Sequence, residues 1–136
     1  MTTWYLEVQP QQEPFDVGPD GSGRAQCSFN VLVNKRPSAT FVQELIKVLE
    51  DAGIGMGGID IFGTSQAEVP DGEGPYLLVR PTAGTAPLGT HNAGAAAYRR
   101  PGAQILVTAK NWIAAEAMAL AAYDALVQVR NQVVSA

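Results

Sequence analysis

The C-terminal third of the chain, residues 99–130, has the strongest pattern in the sequence and constrains the fold most. A Pro101-Gly102 pair predicts a tight turn, and the short apolar run after it predicts a strand over 104–110. Asn111 then follows as an N-cap and opens a long alanine-rich helix. A strand that leads directly into a helix needs other strands beside it and a second layer over the helix. The rest of the chain must supply both.

The last helix is predicted to have apolar residues on two sides. One face is formed by Ala115, Met118, Ala119, Ala122, Leu126, Val129 and Val133. A second row recurs every seven residues on the side of Glu116 and Asp124, and consists of Ile113, Leu120, Val127 and Val134. A helix on the outside of a monomer does not normally carry such a row. Two interpretations stay open: a helix sandwiched between the sheet and the N-terminal segment, or a subunit interface that includes Ile113, Leu120 and Val127.

The first half of the chain predicts two strands and a helix. Strands over 3–9 and 28–33 would pair across a loop rich in Pro, Gly and Gln. A helix is predicted over 39–52, with Ser38 as its N-cap, or with Thr40 and Gln43 as a capping box. Gly53 would end this helix, whose apolar stripe lies opposite Glu44, Lys47 and Glu50.

Two further strands and a long loop are predicted before residue 98. The strands cover 59–62 and 76–80, and Pro81 is expected to limit the second one to a strand end or an edge. Residues 83–97 consist mostly of small side chains and predict a loop. Loops of this length in compact domains usually carry function or are disordered.

The length and composition of the chain exclude several classes of protein. A chain of 136 residues predicts one domain, and 46% apolar with 16% charged residues is enough for a core. The net charge of −4 argues against nucleic acid as the main ligand, because phosphate binding needs a basic surface. A single cysteine, Cys27, excludes an intramolecular disulfide. No apolar run is long enough for a membrane span, and the N-terminus does not resemble a signal peptide.

No group of residues predicts catalysis or a cofactor. The glycines at 53, 55, 57 and 58 follow a helix, whereas a phosphate loop precedes one, so a helix cap and hinge is expected. His91 is the only histidine and lacks metal-ligand partners, and Cys27 lacks a histidine partner. The carboxylates Asp60, Glu68, Asp71 and Glu73 show no catalytic arrangement, since the last three are in turn-like sequence. We therefore predict no enzyme activity, no catalytic residue, no cofactor and no metal.

A small basic spot is formed by Arg99 and Arg100 beside Tyr98. It could dock against an acidic partner surface or anchor the start of a strand, and the sequence leaves both open.

From residue 40 onward, the order of motifs resembles the tail-terminator and minor capsid proteins of long-tailed bacteriophages. A helix ends in Ala52-Gly53-Ile54, and Ile61-Phe62 follows; next come the Pro70-Asp71-Gly72 turn and the run Tyr76-Leu77-Leu78-Val79. Tyr98 then precedes Arg-Pro-Gly, and Ala103 to Val107 leads to Asn111-Trp112. The last part is an alanine-rich helix with Ala117 and Tyr123-Asp124-Ala125-Leu126.

The resemblance implies an α+β fold, with a mostly antiparallel sheet flanked by two helices and an N-terminal strand or arm extension. Residues 1–37 would be the extension, as a β-hairpin or an arm, and residues 38–136 a single tail-terminator-like domain. Such subunits form a hexameric ring at the head-proximal end of the tail tube, where they end polymerisation and join the tail to the neck. The expected partners are other copies of the chain, the tail tube protein and the head–tail stopper or neck protein, with neither a membrane nor a specific nucleic acid. The expected location is the virion, after assembly in the bacterial cytoplasm.

The resemblance also implies roles for particular residues. Ile113, Leu120 and Val127 would make subunit contacts, whereas Tyr98, Arg99, Arg100 and His91, with the loop 84–94, would contact the tube or neck. Two features depart from the family: about 37 residues precede the first helix, and Thr108 stands where an arginine is frequent. A head–tail stopper or neck protein is therefore an alternative, and a small ligand-binding regulatory α/β domain is an alternative from a different class.

Overall fold

The computed structural model describes residues 2–35, 41–63, 70, 72–88 and 98–135, and gives the backbone alone for 2–6, 83–88, 98–99 and 131–135. These ranges contain, in chain order, β1 (Thr2–Pro10), β2 (Phe15–Asp16), β3 (Ala25–Lys35), α1 (Phe41–Asp51), β4 (Ile61–Gly63), β5 (Tyr76–Leu88), β6 (Tyr98–Ala109), α2 (Trp112–Val127) and β7 (Arg130–Ser135). The strands form one sheet in the order β4-β5-β6-β3-β1-β7, and β2 pairs with β3. Only β4 and β5 pair in parallel among these strands. The predicted α+β fold is confirmed.

Both helices pack on one face of the sheet and share its core. Alternate residues along a strand point to the same face, and the odd-numbered positions of β3, β5 and β6 are the buried ones on the helix side. The core is formed by Phe29, Val31, Val33, Leu77, Val79, Ile105 and Val107 of the sheet, Leu45 and Leu49 of α1, and Ala115, Ala119, Ala122 and Leu126 of α2. The Phe29 ring also meets Tyr123 of α2 edge-on, with 5.6 Å between centroids.

The N-terminal segment lies inside the sheet. β1 and β3 pair antiparallel, as the sequence predicts for its first two strands. β3 has β6 on its other side and β1 has β7, so these strands do not project from the domain as an arm. From Cys27 to Lys35, β3 is buried at every position except Asn30 and Asn34, which fits its central place in the sheet. Residues 2–35, the described part of the predicted extension, thus contribute β1, β2 and β3 to the sheet.

α1 forms within the range predicted for the first helix, and its end is the expected one. Gly53 follows with a φ of +79°, and the Ile54 amide donates to the Leu49 carbonyl over 3.1 Å. Ser38 and Thr40 lie outside the described residues. Glu44, which the sequence places opposite the apolar stripe of α1, is nevertheless buried: its side chain is 2% exposed, and its Oε1 lies 2.6 Å from Lys35 Nζ. α1 contacts β4, β5 and β7, so more than one side of this helix is covered.

Two predicted strand limits are wrong. β4 begins at Ile61 rather than at residue 59, because the Met56 carbonyl binds the Ile61 amide and closes a turn. β5 continues through Pro81 to Leu88, into the segment predicted as a loop. The Leu77 amide donates to the Asp60 carbonyl, on the β4 side of β5. Pro81 lies four residues further along the same strand, so its backbone nitrogen also points away from β6. The N–H that proline lacks is therefore not needed for pairing with β6. Proline is tolerated at such an edge position, and residues 89–97 lie outside the described ranges.

Pro101 and Gly102 lie within β6 and do not form the predicted turn. Gly102 is opposite Leu32 of β3 and Thr82 of β5, and is buried. The register between β5 and β6 shifts between Thr82 and Thr85, beside Pro101. A bulge of this kind accommodates proline inside a sheet.

The last helix is shorter than predicted. α2 ends at Val127, and β7 then runs antiparallel to β1. Val129, Val133 and Val134 are therefore not on the helix, although Val129 is buried. The Val8 amide donates to the Val129 carbonyl over 3.2 Å, and the valine-rich tail has the β-branched residues that strands favour. No helix in the described ranges is long and apolar enough to cross a membrane.

Candidate assembly surface

The position of α2 is fixed by its N-cap and by its small buried side chains. Asn111 Oδ1 accepts the Ala114 amide over 2.9 Å, from an extended backbone conformation, as the sequence predicts. Ala115, Ala119 and Ala122 are fully buried against the sheet, so α2 lies close to β3 and β6.

The outer side of α2 carries an exposed apolar row. Ile113 is 79% exposed and Leu120 42% exposed, while Val127 is half-buried. Trp112, 39% exposed, lies beside the start of this row. The N-terminal segment is in the sheet and does not cover the row, contrary to the sandwich interpretation. The described part of the chain leaves this apolar surface in solvent, and its role as a subunit interface stays a prediction.

The charged groups of α2 are all acidic. Glu116 is half-buried and Asp124 is exposed on the side of the apolar row, and the helix contains no lysine or arginine. We call the surface formed by Ile113, Glu116, Leu120, Asp124 and Val127 the α2 row.

A shallow groove runs beside the α2 row, with a volume of about 440 Å³. It is bounded by the end of α1, by Pro75 and by small residues of α2, and is lined by Gly53, Ile54, Pro75, Ala114, Ala117, Met118 and Ala121. Its lining is almost entirely apolar, so the groove extends the apolar surface of the row.

The other face of the sheet has no helix over it in the described ranges; Ser28, Leu78 and Thr108 on this face are buried, and its charged side chains are mostly arginines. Its even-numbered positions include Arg80 on β5 and Arg100 on β6. Arg100 Nε donates to Asn34 Oδ1 over 3.1 Å, and beyond Asn34 the Glu7 carboxylate lies 3.4 Å from Arg130 Nη1. We call Arg80, Arg100 and Arg130 the arginine face. Glu7 is the only carboxylate among the described strand side chains on that face.

The other residues predicted to contact the tube or neck are only partly described. The backbone of Tyr98 and Arg99 lies in β6, and Arg99 is paired in register with Lys35. Their side chains and the whole of His91 are outside the described residues. Arg100 can therefore be placed with side-chain contacts, whereas the other three cannot.

The glycine cluster shapes a turn and a second groove. Gly57 donates its amide to Glu50 Oε2 over 3.0 Å, and Gly58 donates to the Ile61 carbonyl over 2.8 Å. A groove of about 400 Å³ lies between α1 and β4. Gly63 at its edge has no room for a side chain, since a Cβ there would lie 2.7 Å from Val42 Cγ1 and would also overlap Ile46 Cδ1.

The remaining titratable groups do not form a reactive centre among the described residues. Burial, with smaller effects of the Asp16 and Glu116 carboxylates, raises the pKa of the Cys27 thiol to about 11. The thiol is thus protonated and poorly nucleophilic at neutral pH. No group of three His, Cys, Asp or Glu side chains in the described ranges could hold a metal ion.

Sequence reasoning missed the buried Lys35–Glu44 pair and the arginine face. The first had a signal, because Lys35 continues the odd-numbered series Cys27 to Val33 that faces the core. Of the arginine face, the sequence singled out only Arg100; its grouping with Arg80 and Arg130 had no signal, because these residues come together only through the register of β1, β3, β5, β6 and β7.

Comparison of the chain with protein-family models, curated proteins and solved structures finds no match.

Proposed function

We propose that the chain is a structural virion protein of a long-tailed phage, which forms a ring at the head-proximal end of the tail tube. The ring would end tube polymerisation and present a surface to the neck proteins. The proposal rests on the motif order described above, and its main structural support is the exposed α2 row.

The α2 row supports self-association for an energetic reason. Burying apolar surface contributes roughly 25 cal/mol per Å², so leaving Ile113 and Leu120 in water forgoes a stabilisation that a partner would restore. The groove beside the row adds an apolar surface of small side chains that a second chain could approach closely. A ring requires two different patches that meet head to tail around an axis, since identical patches would give only a closed dimer.

The subunit-contact part of the proposal can be tested with the purified protein. Wild-type chain should form a discrete oligomer by native mass spectrometry and light scattering. Leu120→Asp should give a folded monomer, because it places a charge in the apolar contact. Gln43→Asp makes the same charge change at an exposed position of α1 and should assemble like wild type. Loss of the folded monomer in Leu120→Asp, by circular dichroism, would show that the row is core.

The terminator and stopper roles differ in where assembly fails. Without a terminator, the tube should grow past its normal length; without a stopper, tails of normal length should fail to join heads. Electron microscopy of particles made without the chain separates the two roles. If the purified chain is a stable monomer and particles made without it show neither defect, the small ligand-binding domain becomes the better interpretation.

A further inference from the structure

We infer that the partner of the α2 row is the arginine face of a neighbouring copy of the same chain. This inference rests on the proposed ring and names the second of the two patches that such a ring needs. Arg100, which the sequence assigns to tube or neck contact, would then contact another subunit.

The two surfaces have opposite charge. The α2 row contains Glu116 and Asp124 and no basic residue, whereas the arginine face contains three arginines and the carboxylate of Glu7. Complementary charges orient partners and disfavour wrong ones, because like charges brought into contact repel each other. Two copies meeting by the same face would bring like charges together, so pairing of unlike faces is favoured.

The arginines also have unused hydrogen-bonding capacity. Arg130 has a 69% exposed side chain and reaches Glu7 only at 3.4 Å. Arg80 Nε is buried, so this nitrogen is out of reach of a second chain and the contact depends on Arg100 and Arg130. A guanidinium offers five N–H donors, and a carboxylate is the group whose geometry best matches them.

The charge spacing on the two surfaces is similar. Glu116 and Asp124 are eight residues apart, or about 12 Å along the helix axis at 1.5 Å per residue. Arg100 on β6 donates a hydrogen bond to Asn34 of β3, Asn34 is opposite Glu7 of β1, and Glu7 is opposite Arg130 of β7. Three strand spacings of about 4.8 Å give about 14 Å between the positions of Arg100 and Arg130. One helix can therefore bring both carboxylates near these two guanidinium groups.

The placement of the two surfaces gives a head-to-tail contact. α2 packs on one face of the sheet and the arginine face is the other, so each subunit offers an acidic helix on one side and arginines on the opposite side. Contacts between different patches of identical chains are heterologous and close into a ring when the rotation allows it.

The test is a charge exchange between subunits. Asp124→Arg alone and Arg100→Glu alone should each weaken assembly at least about tenfold, since like charges would then meet. An equimolar mixture of the two variants should recover assembly with alternating subunits, because the exchanged charges at positions 124 and 100 then attract each other across the contact. Arg130→Glu, at the most exposed residue of the arginine face, replaces Arg100→Glu in the mixture if that variant does not fold. Asp51→Arg and Lys47→Glu make matched charge changes on α1 and should assemble like wild type.

Several outcomes would overturn the inference. If both variants assemble normally while Leu120→Asp is monomeric, the ring stands and the arginine face is not its second patch. If both variants fail and the mixture does not recover, the charges matter but do not face each other. A wild-type chain that is monomeric at every concentration would overturn both the inference and the proposed ring.

Discussion

The buried pair of Lys35 and Glu44 gives a stability prediction whose size follows from its burial. Both side chains are 2% exposed, and Nζ lies 2.6 Å from Oε1. Removing one partner of such a pair leaves the other charge in a low dielectric and typically costs about 3 to 5 kcal/mol. Since domains are stable by only about 5 to 15 kcal/mol, Lys35→Met should lose a large share of the free energy of unfolding.

The double variant tests whether the cost of each single substitution comes from the partner charge that it leaves behind. Lys35→Met with Glu44→Leu replaces both charges by apolar groups, and such replacements are often neutral or stabilising. We expect this variant to lie within about 1 kcal/mol of wild type. The exposed pair Lys47–Asp51, at 3.3 Å with side chains 44% and 60% exposed, is the control, and Lys47→Met should cost at most about 0.5 kcal/mol.

Urea unfolding followed by far-ultraviolet circular dichroism measures these free energies, and that of Glu44→Leu alone, on one scale. A cost below about 1 kcal/mol for Lys35→Met would refute the burial argument, because a pair screened by water has that magnitude. A double variant as unstable as the sum of the single ones would show that the two charges do not act on each other.

Three further predictions concern single positions. Asn111→Ala should cost about 1 kcal/mol of stability in urea unfolding, since the helix N-cap is lost, while Asn111→Ser should keep most of it; equal losses would show that capping is not the cause. Gly63→Ala should cost roughly 1 to 3 kcal/mol, because the added methyl overlaps the Val42 and Ile46 side chains of α1, and a neutral result would mean that α1 shifts freely. The Cys27 thiol, with its pKa raised to about 11, should resist alkylation at pH 8 in the folded chain and react in urea. Because its folded pKa is the higher one, stability should fall as the pH rises from about 9 to 11, and this slope should vanish in Cys27→Ala.

The sequence predicts the elements with strong local patterns. The strand over 28–33, the N-cap at Asn111 and the glycine after α1 all depend on neighbours within a few residues, and the structure has them where expected. These signals also sufficed for the α+β class.

The wrong predictions concern segments whose structure is set by pairing with strands that are distant in the chain. Pro101 and Gly102 have the composition of a turn, yet β3 and β5 both pair along that stretch and keep it extended. Val133 and Val134 continue a helical periodicity, yet β1 offers an edge with which they pair as a strand. Local propensity is a weak predictor in such places, because tertiary pairing overrides it.

The candidate surface was predictable in part. The row of Ile113, Leu120 and Val127 is a pattern on one helix, so its spacing is visible in the sequence. The arginine face is assembled from residues on different strands that are far apart in the chain, and no local signal joins Arg80 to Arg130.

Electron microscopy of particles from a phage with a stop codon at Trp4 of this chain tests the proposed function most directly. We predict overlong, irregular tails that are detached from filled heads, and recovery of normal particles when the wild-type chain is supplied from a plasmid. Infectious particles with tails of normal length, made without the chain, would contradict the account.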